Sequence, residues 1–177
     1  YDEQQQKLLP LAQLLQSKLH IIHMTNNHDY RTNSHTISPT KGCFYIDKKL
    51  NQSFAILENI FSEHTLSHAV SEQPITIHNR PVNIVKQAGD VIWIQFEDAC
   101  SIPRCYRDYT WLSETYRVII ISGLDRLKRS EKAKLINLIA LIDIVTDNNN
   151  VIFISSKVAI EDIYTEKPAP FALARLY

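Results

Sequence analysis

At 177 residues and zero formal net charge, the chain fits one domain, or a large piece of one, and makes no strong electrostatic case for nucleic acid or an anionic membrane surface. Apolar residues at 45% against 21% charged exclude a disordered chain. The glycines are Gly42, Gly89 and Gly123. They stand too far apart for a phosphate loop or a dinucleotide fingerprint, and none precedes Lys-Ser or Lys-Thr, so both motifs are excluded within these residues.

Cys43, Cys100 and Cys105 are odd in number and do not suggest a disulfide framework, and Cys100 and Cys105 are too widely spaced for a C-x-x-C site. Reduced thiols of a cytosolic protein are the expectation. The longest apolar run, Leu138–Ile142, is far short of the roughly 20 residues of a membrane span. No signal peptide opens the chain. Its first residue is Tyr1 rather than Met, and the expectation is an internal fragment or a trimmed chain.

In chain order, Pro10 begins a helix that carries Leu11, Leu14, Leu15 and Leu19 at helical spacing. A strand-like piece covers residues 20–25, a turn residues 26–29, and a loop residues 33–41. Cys43 to Ile46 reads as a strand. Phe54, Leu57, Ile60, Phe61 and His64 define one face of an amphipathic helix. Ile75, Ile77, Val82, Ile84, Val91, Trp93, Ile94 and Phe96 mark two or three strands, the first two joined at His78-Asn79-Arg80-Pro81 and the next connection carrying Gly89-Asp90. Residues 42–98 are thus expected to form a small β-rich subregion.

A short helix follows from Tyr106 to Tyr116. Val118–Ile121 is continuous apolar sequence, as in a strand buried on both faces, and Ser122-Gly123 ends it. Ser130 is the expected N-cap of a helix whose buried face holds Leu135, Leu138, Ile139, Ile142 and Val145, widened by Ile136 and Ala140. Asn148–Asn150 stop that helix. Val151–Ile154 is a second buried strand ending at Ser155-Ser156, and a third helix is expected near Ile160–Tyr164. Strand, helix, strand, helix with continuous apolar strands means a parallel β-α-β unit over residues 106–177.

Ligands of open parallel sheets bind at the carboxyl ends of the strands. Here those ends offer Ser122, Gly123 and Asp125, then Ser155 and Ser156. A metal-holding strand needs a carboxylate at its tip, where Ser122 stands, so a complete catalytic site is not expected. The histidines raise a metal hypothesis: His20, His23, His28 and His35 crowd one segment, and His64 and His68 have i, i+4 spacing. Glu63 precedes the pair instead of lying within it, and the expectation is no metal site. No G-x-S-x-G elbow is present for a serine hydrolase, and no spacing pairs Cys43 or Cys105 with a histidine. Arg31, Arg80, Arg104 and Arg126 sit beside turn-forming or aromatic residues. Internal ion pairs suggest themselves between Arg31 and Asp29 and between Arg104 and Asp108.

Taken in series, these stretches resemble the C-terminal half of the ZapE-type cell-division ATPases and their mitochondrial relatives, the lactation-elevated-protein family of AAA+-like P-loop ATPases. The resemblance rests on Leu8-Leu9-Pro10, His28-Asp29-Tyr30-Arg31, Asn79-Arg80-Pro81, Phe96 to Cys100, Pro103-Arg104 and Asp108-Tyr109. It continues through Arg117, Ser122-Gly123, Ile142-Asp143 and Ile154-Ser155 to Tyr164. It covers nearly the whole chain. It departs where the family has an arginine near Glu3-Gln4-Gln5, two arginines near Ile136 and Asn137, and an acidic residue at Ile144.

The resemblance implies a parallel β-α-β core of a P-loop (AAA+-like) ATPase with a small β-rich insertion, residues 1–177 being the C-terminal part of the ATPase domain. The phosphate loop and metal-holding strand would precede Tyr1. It implies ATP and Mg2+ as cofactors of the intact protein and none for this chain alone. No catalytic residue is expected here, with Arg31 and Arg104 the arginines offered toward nucleotide. The expected partners are the protein's own N-terminal P-loop half, division-machinery proteins and further copies of itself, with no nucleic acid. The expected location is the cytoplasm, with peripheral association at the bacterial inner membrane. The competing readings are a non-catalytic protein-interaction module on a degenerate P-loop fold and a metal-dependent enzyme using the histidines.

Overall fold

A computed structural model describes Pro10 and residues 42–46, 52–65, 70–101 and 103–164. The chain divides into two compact units, Tyr1–His35 and Thr36–Tyr177, and all described residues but Pro10, which is helical, belong to the second. The expected elements at residues 11–41 and beyond Tyr164 lie outside the described residues.

The second unit is built on one mixed sheet. Its strands are β1 (Gly42–Ile46), β4 (Lys86–Ala88), β5 (Val91–Gln95), β6 (Val118–Leu124) and β7 (Val151–Ser156), in the order β1-β7-β6-β5-β4. β1, β7, β6 and β5 run parallel, and β4 closes the edge antiparallel to β5. The short strands β2 (Ile75–Ile77) and β3 (Arg80–Val82) form a separate antiparallel hairpin. Residues 42–98 therefore do not make a sheet of their own: β1, β4 and β5 join the main sheet and only the hairpin stands apart.

The helices are α1 (Gln52–His64), α2 (Phe96–Cys100), α3 (Tyr106–Thr115) and α4 (Lys132–Asp147), with 3-10 turns at Arg129–Glu131 and Ile160–Asp162. Alternation along the central strands sorts their side chains between two cores. Ile92, Ile94, Ile119, Ile121 and Ile154 pack with α2, α3, α4 and the hairpin, whereas Val91, Trp93, Val118, Ile120 and Phe153 pack under Leu57, Ile60 and Phe61 of α1. Burial on both faces is why these strands read as unbroken apolar runs. No described helix is long and apolar enough to cross a membrane.

Several local expectations shift. Phe96 opens α2 rather than ending β5. The hairpin turn is His78-Asn79, both residues in the left-handed region (φ 47° and 62°), so Arg80 and Pro81 are strand residues. That geometry matches the right-handed twist of the two strands. Ser130 lies within the 3-10 turn, and Glu131 occupies the N-cap of α4. Ile136 is 53% exposed, and Leu141 and Ile144 take its expected place in the core. The segment near Ile160 makes a single 3-10 turn. Asn148–Asn150 do end α4. Asn149 is left-handed (φ 61°), and the N–H groups of Asn149 and Asn150 return to the carbonyls of Thr146 and Val145 at 3.0 Å each, the pairing of a Schellman stop. The Nδ2 groups of Asn148 and Asn150 also donate to Ser113 Oγ, at 2.8 and 3.0 Å, which ties the ends of α3 and α4 together.

Candidate functional site

The connection leaving β1 goes to α1 on one face, whereas those leaving β5 and β6 pass over the other. The parallel sheet therefore has its switch point between β1 and β7, and the general rule places a ligand at that carboxyl edge. Among the described residues, Ser122, Asp125 and Ser156 at the ends of β6 and β7 each have a partner within the protein. Ser122 Oγ accepts the indole N–H of the fully buried Trp93 at 2.8 Å. Asp125 accepts the backbone N–H of Arg126 at 2.7 Å and pairs with Lys157 at 3.0 Å. These contacts, the backbone hydrogen bond first, hold its carboxyl below the ordinary aspartate value. Ser156 Oγ accepts the Val158 N–H at 3.2 Å. Gly123 is left-handed (φ 80°), and a Cβ there would meet nothing within 4 Å; the glycine serves the backbone irregularity between Ile121 and Leu124 rather than a close approach to phosphate. Among the described residues, the ends of β6 and β7 do not fit ATP-Mg2+: the β6 tip is a hydroxyl with a partner, Asp125 is paired with Lys157, and no phosphate cradle is present.

The other candidates are distributed as follows. Among the described residues no three His, Cys, Asp or Glu side chains are grouped to hold a metal. The ring of His64 lies 5.2 Å from that of Phe153, while His20, His23, His28, His35 and His68 lie outside the described residues, as does Arg31. Cys100 is buried, and desolvation raises its thiol pKa strongly, which suits a packing role. Cys105 is exposed.

The polar residues that do converge lie between the hairpin and the α2–α3 connection. Asp108 is 0% exposed. Its Oδ2 accepts the Cys105 N–H at 2.9 Å, which caps the start of α3, and its Oδ1 accepts Nη2 of Arg80 from β3. Nη1 of Arg80 donates to the Pro103 carbonyl. Arg104 reaches the opposite way: its Nη2 donates to the Pro81 carbonyl at 3.1 Å and its Nε to the Asp98 carbonyl at 3.0 Å. The expected Arg104–Asp108 pair is therefore replaced by Arg80–Asp108, because the hairpin brings Arg80 to the buried carboxylate while Arg104 caps α2. The four carbonyls that end α2 each find a donor. Those of Glu97, Asp98, Ala99 and Cys100 receive the Ser101 N–H (3.2 Å), Arg104 Nε, Tyr109 Oη (3.1 Å) and Asn137 Nδ2 (2.8 Å). Asn79-Arg80-Pro81, Pro103-Arg104 and Asp108-Tyr109, separate in sequence, meet in this one polar lock. The only sequence signal for it was the three-residue spacing of Cys105 and Asp108.

The described residues of the second unit form an α/β layer structure on a largely parallel sheet. The family model described as AFG1-like ATPase matches residues 2–177, and the chain belongs to that family. A protein of Schizosaccharomyces pombe described as "Uncharacterized protein C115.02c" is 27% identical over 171 residues, which are 94% of this chain and 36% of that protein. The chain thus spans little more than a third of that relative. No solved structure matches.

Two measurements test the site. Arg80→Met leaves a buried carboxylate without its cation and should lower the chemical-denaturation midpoint clearly more than Asn83→Ala, whose hydrogen bond to Asp98 is exposed; a shift no larger than that of Asn83→Ala would show that the lock does not matter. The Asp125 pKa lies lower in the folded than in the unfolded chain, so its contribution is present above the ordinary aspartate range and is lost as pH falls through it. Both partners are about half exposed, so the effect is small. Asp125→Asn should flatten part of the acid limb of a stability-versus-pH curve, and an unchanged limb would contradict the assignment.

Proposed function

We propose that the intact protein is an ATPase that hydrolyses ATP with Mg2+, and that residues 1–177 are its C-terminal portion. The phosphate loop and the metal-holding carboxylate are then carried elsewhere in the protein. Family membership over residues 2–177 carries the ATPase reading. The scarcity of glycine and the internally engaged carboxyl edge support a scaffold role for this portion. Its residues supply packing and surface. Arg104, bonded to two carbonyls, is spent on that scaffold, which leaves Arg31 as the arginine offered toward nucleotide. In this reading the protein works in the cytoplasm, peripherally at the bacterial inner membrane with the division machinery.

The competing reading is a non-catalytic interaction module, which the engaged Ser122 and Asp125 also suit. ATP turnover separates the two. The full-length protein should release phosphate in a Mg2+-dependent way, and the 177-residue chain should match the buffer blank. Turnover by the short chain would reject the division of labour, and an inactive full-length protein would reject the ATPase reading in favour of the module. A fluorescent fusion of the full-length protein should gather at the division site, and an evenly spread signal would reject that location.

A further inference from the structure

α3 buries one face through Asp108, Tyr109, Leu112 and Ser113. Its other face carries Tyr106, Arg107, Thr110, Trp111 and Glu114, which with His78 of the hairpin turn line a shallow, mainly apolar groove of about 230 Å3. Tyr106 is 66% exposed there. The charges on this face oppose the helix that bears them. Arg107 lies in the first turn, where the helix dipole is positive, and Glu114 in the last, where it is negative. Neither side chain has an ion pair among the described residues. The arrangement is unfavourable to an isolated helix and is self-complementary.

We propose that a second copy of this chain covers the groove, the two α3 helices running antiparallel about a two-fold axis between Thr110 and Trp111. Arg107 and Glu114 are seven residues apart and equidistant in sequence from that axis, roughly 10.5 Å from one another along the helix. The symmetry therefore sets each Arg107 against the partner's Glu114, the self-complementary matching an isologous interface requires. It also brings each arginine to the negative end of the partner helix and each glutamate to the positive end, so the charges misplaced in one copy are matched in two. Trp111 lies at the axis and supplies the apolar centre, and Tyr106 flanks it at each end, aromatic residues being enriched at interfaces. A contact built on one helix face of ten residues is a weak, reversible one.

Sedimentation velocity of the 177-residue chain over a concentration series tests this. A reversible dimer is expected, weakened by salt. Arg107→Glu and Glu114→Arg should each raise the dissociation constant about tenfold or more, since each variant sets like charges together at two symmetric places. The double variant R107E/E114R should return to within about threefold of the parent. Each single change suits its own helix dipole better than the native residue, so lost association would not arise from lost folding, and an unchanged denaturation midpoint checks this. A chain monomeric up to its solubility limit, a dimer indifferent to both single reversals, or a double variant that fails to recover would each overturn the proposal.

Discussion

A carboxylate with no access to solvent is the constraint around which the second unit is organised. Burying Asp108 would cost several kcal/mol if it stood alone. Its two oxygens instead take the Cys105 N–H and the Arg80 guanidinium, so one side chain fixes both where α3 begins and where the β2–β3 hairpin docks. A two-stranded hairpin with three-residue strands has no independent stability. This one is held by Ile75, Ile77 and Val82 in the core and by arginines reaching in both directions, Arg80 from the hairpin to the connection and Arg104 from the connection to the hairpin. The position of His78 beside α3, and hence one wall of the groove there, follows from that docking.

The same lock explains how a helix as short as α2 persists. Five residues cannot offset their nucleation by internal hydrogen bonds, and the last four carbonyls of any helix lack internal partners. Here the Glu97 carbonyl takes the N–H of the capping Ser101, and those of Asp98, Ala99 and Cys100 take donors from outside the helix, the most distant being Asn137 of α4. Phe96, Ala99 and Cys100 are buried beneath it. α2 is therefore held by tertiary structure at both its apolar and its polar surfaces, and it carries the chain from β5 to the connection that Arg80 pins.

What could be read from the sequence follows from how local each signal was. β6, β7 and α4 were legible because strands buried on both faces and a long apolar helix leave unbroken patterns. α1 was legible in its face, although Phe54 is 57% exposed while its ring sits 4.9 Å from that of Trp93. β4, Lys86-Gln87-Ala88, left no pattern because it is a polar edge of three residues. α2 was hidden because Phe96 continues the apolar run of β5. At the site, the strand tips Ser122, Asp125 and Ser155-Ser156 could be placed from the strand pattern, but what engages them could not. Trp93 and Ser122 are 29 residues apart and Arg80 and Asp108 are 28 apart; such pairs have no spacing signature, whereas the misleading Arg104–Asp108 pair had one.

The departures at Ile136 and Asn137 take on physical meaning within this frame. An arginine at either position would be a long cation able to reach beyond its own helix. Asn137 instead donates a short amide bond to the carbonyl that closes α2, and Ile136 projects an apolar side chain outward from α4. An asparagine at this position supplies a donor for the α2 carbonyl without the reach of a guanidinium. Ser122, held by Trp93, and Asp125, half exposed and paired with Lys157, are likewise engaged within the protein. Polar groups matched to one another in this way suit this part of the unit to rigidity and to presenting surfaces, which is the scaffold role proposed for it.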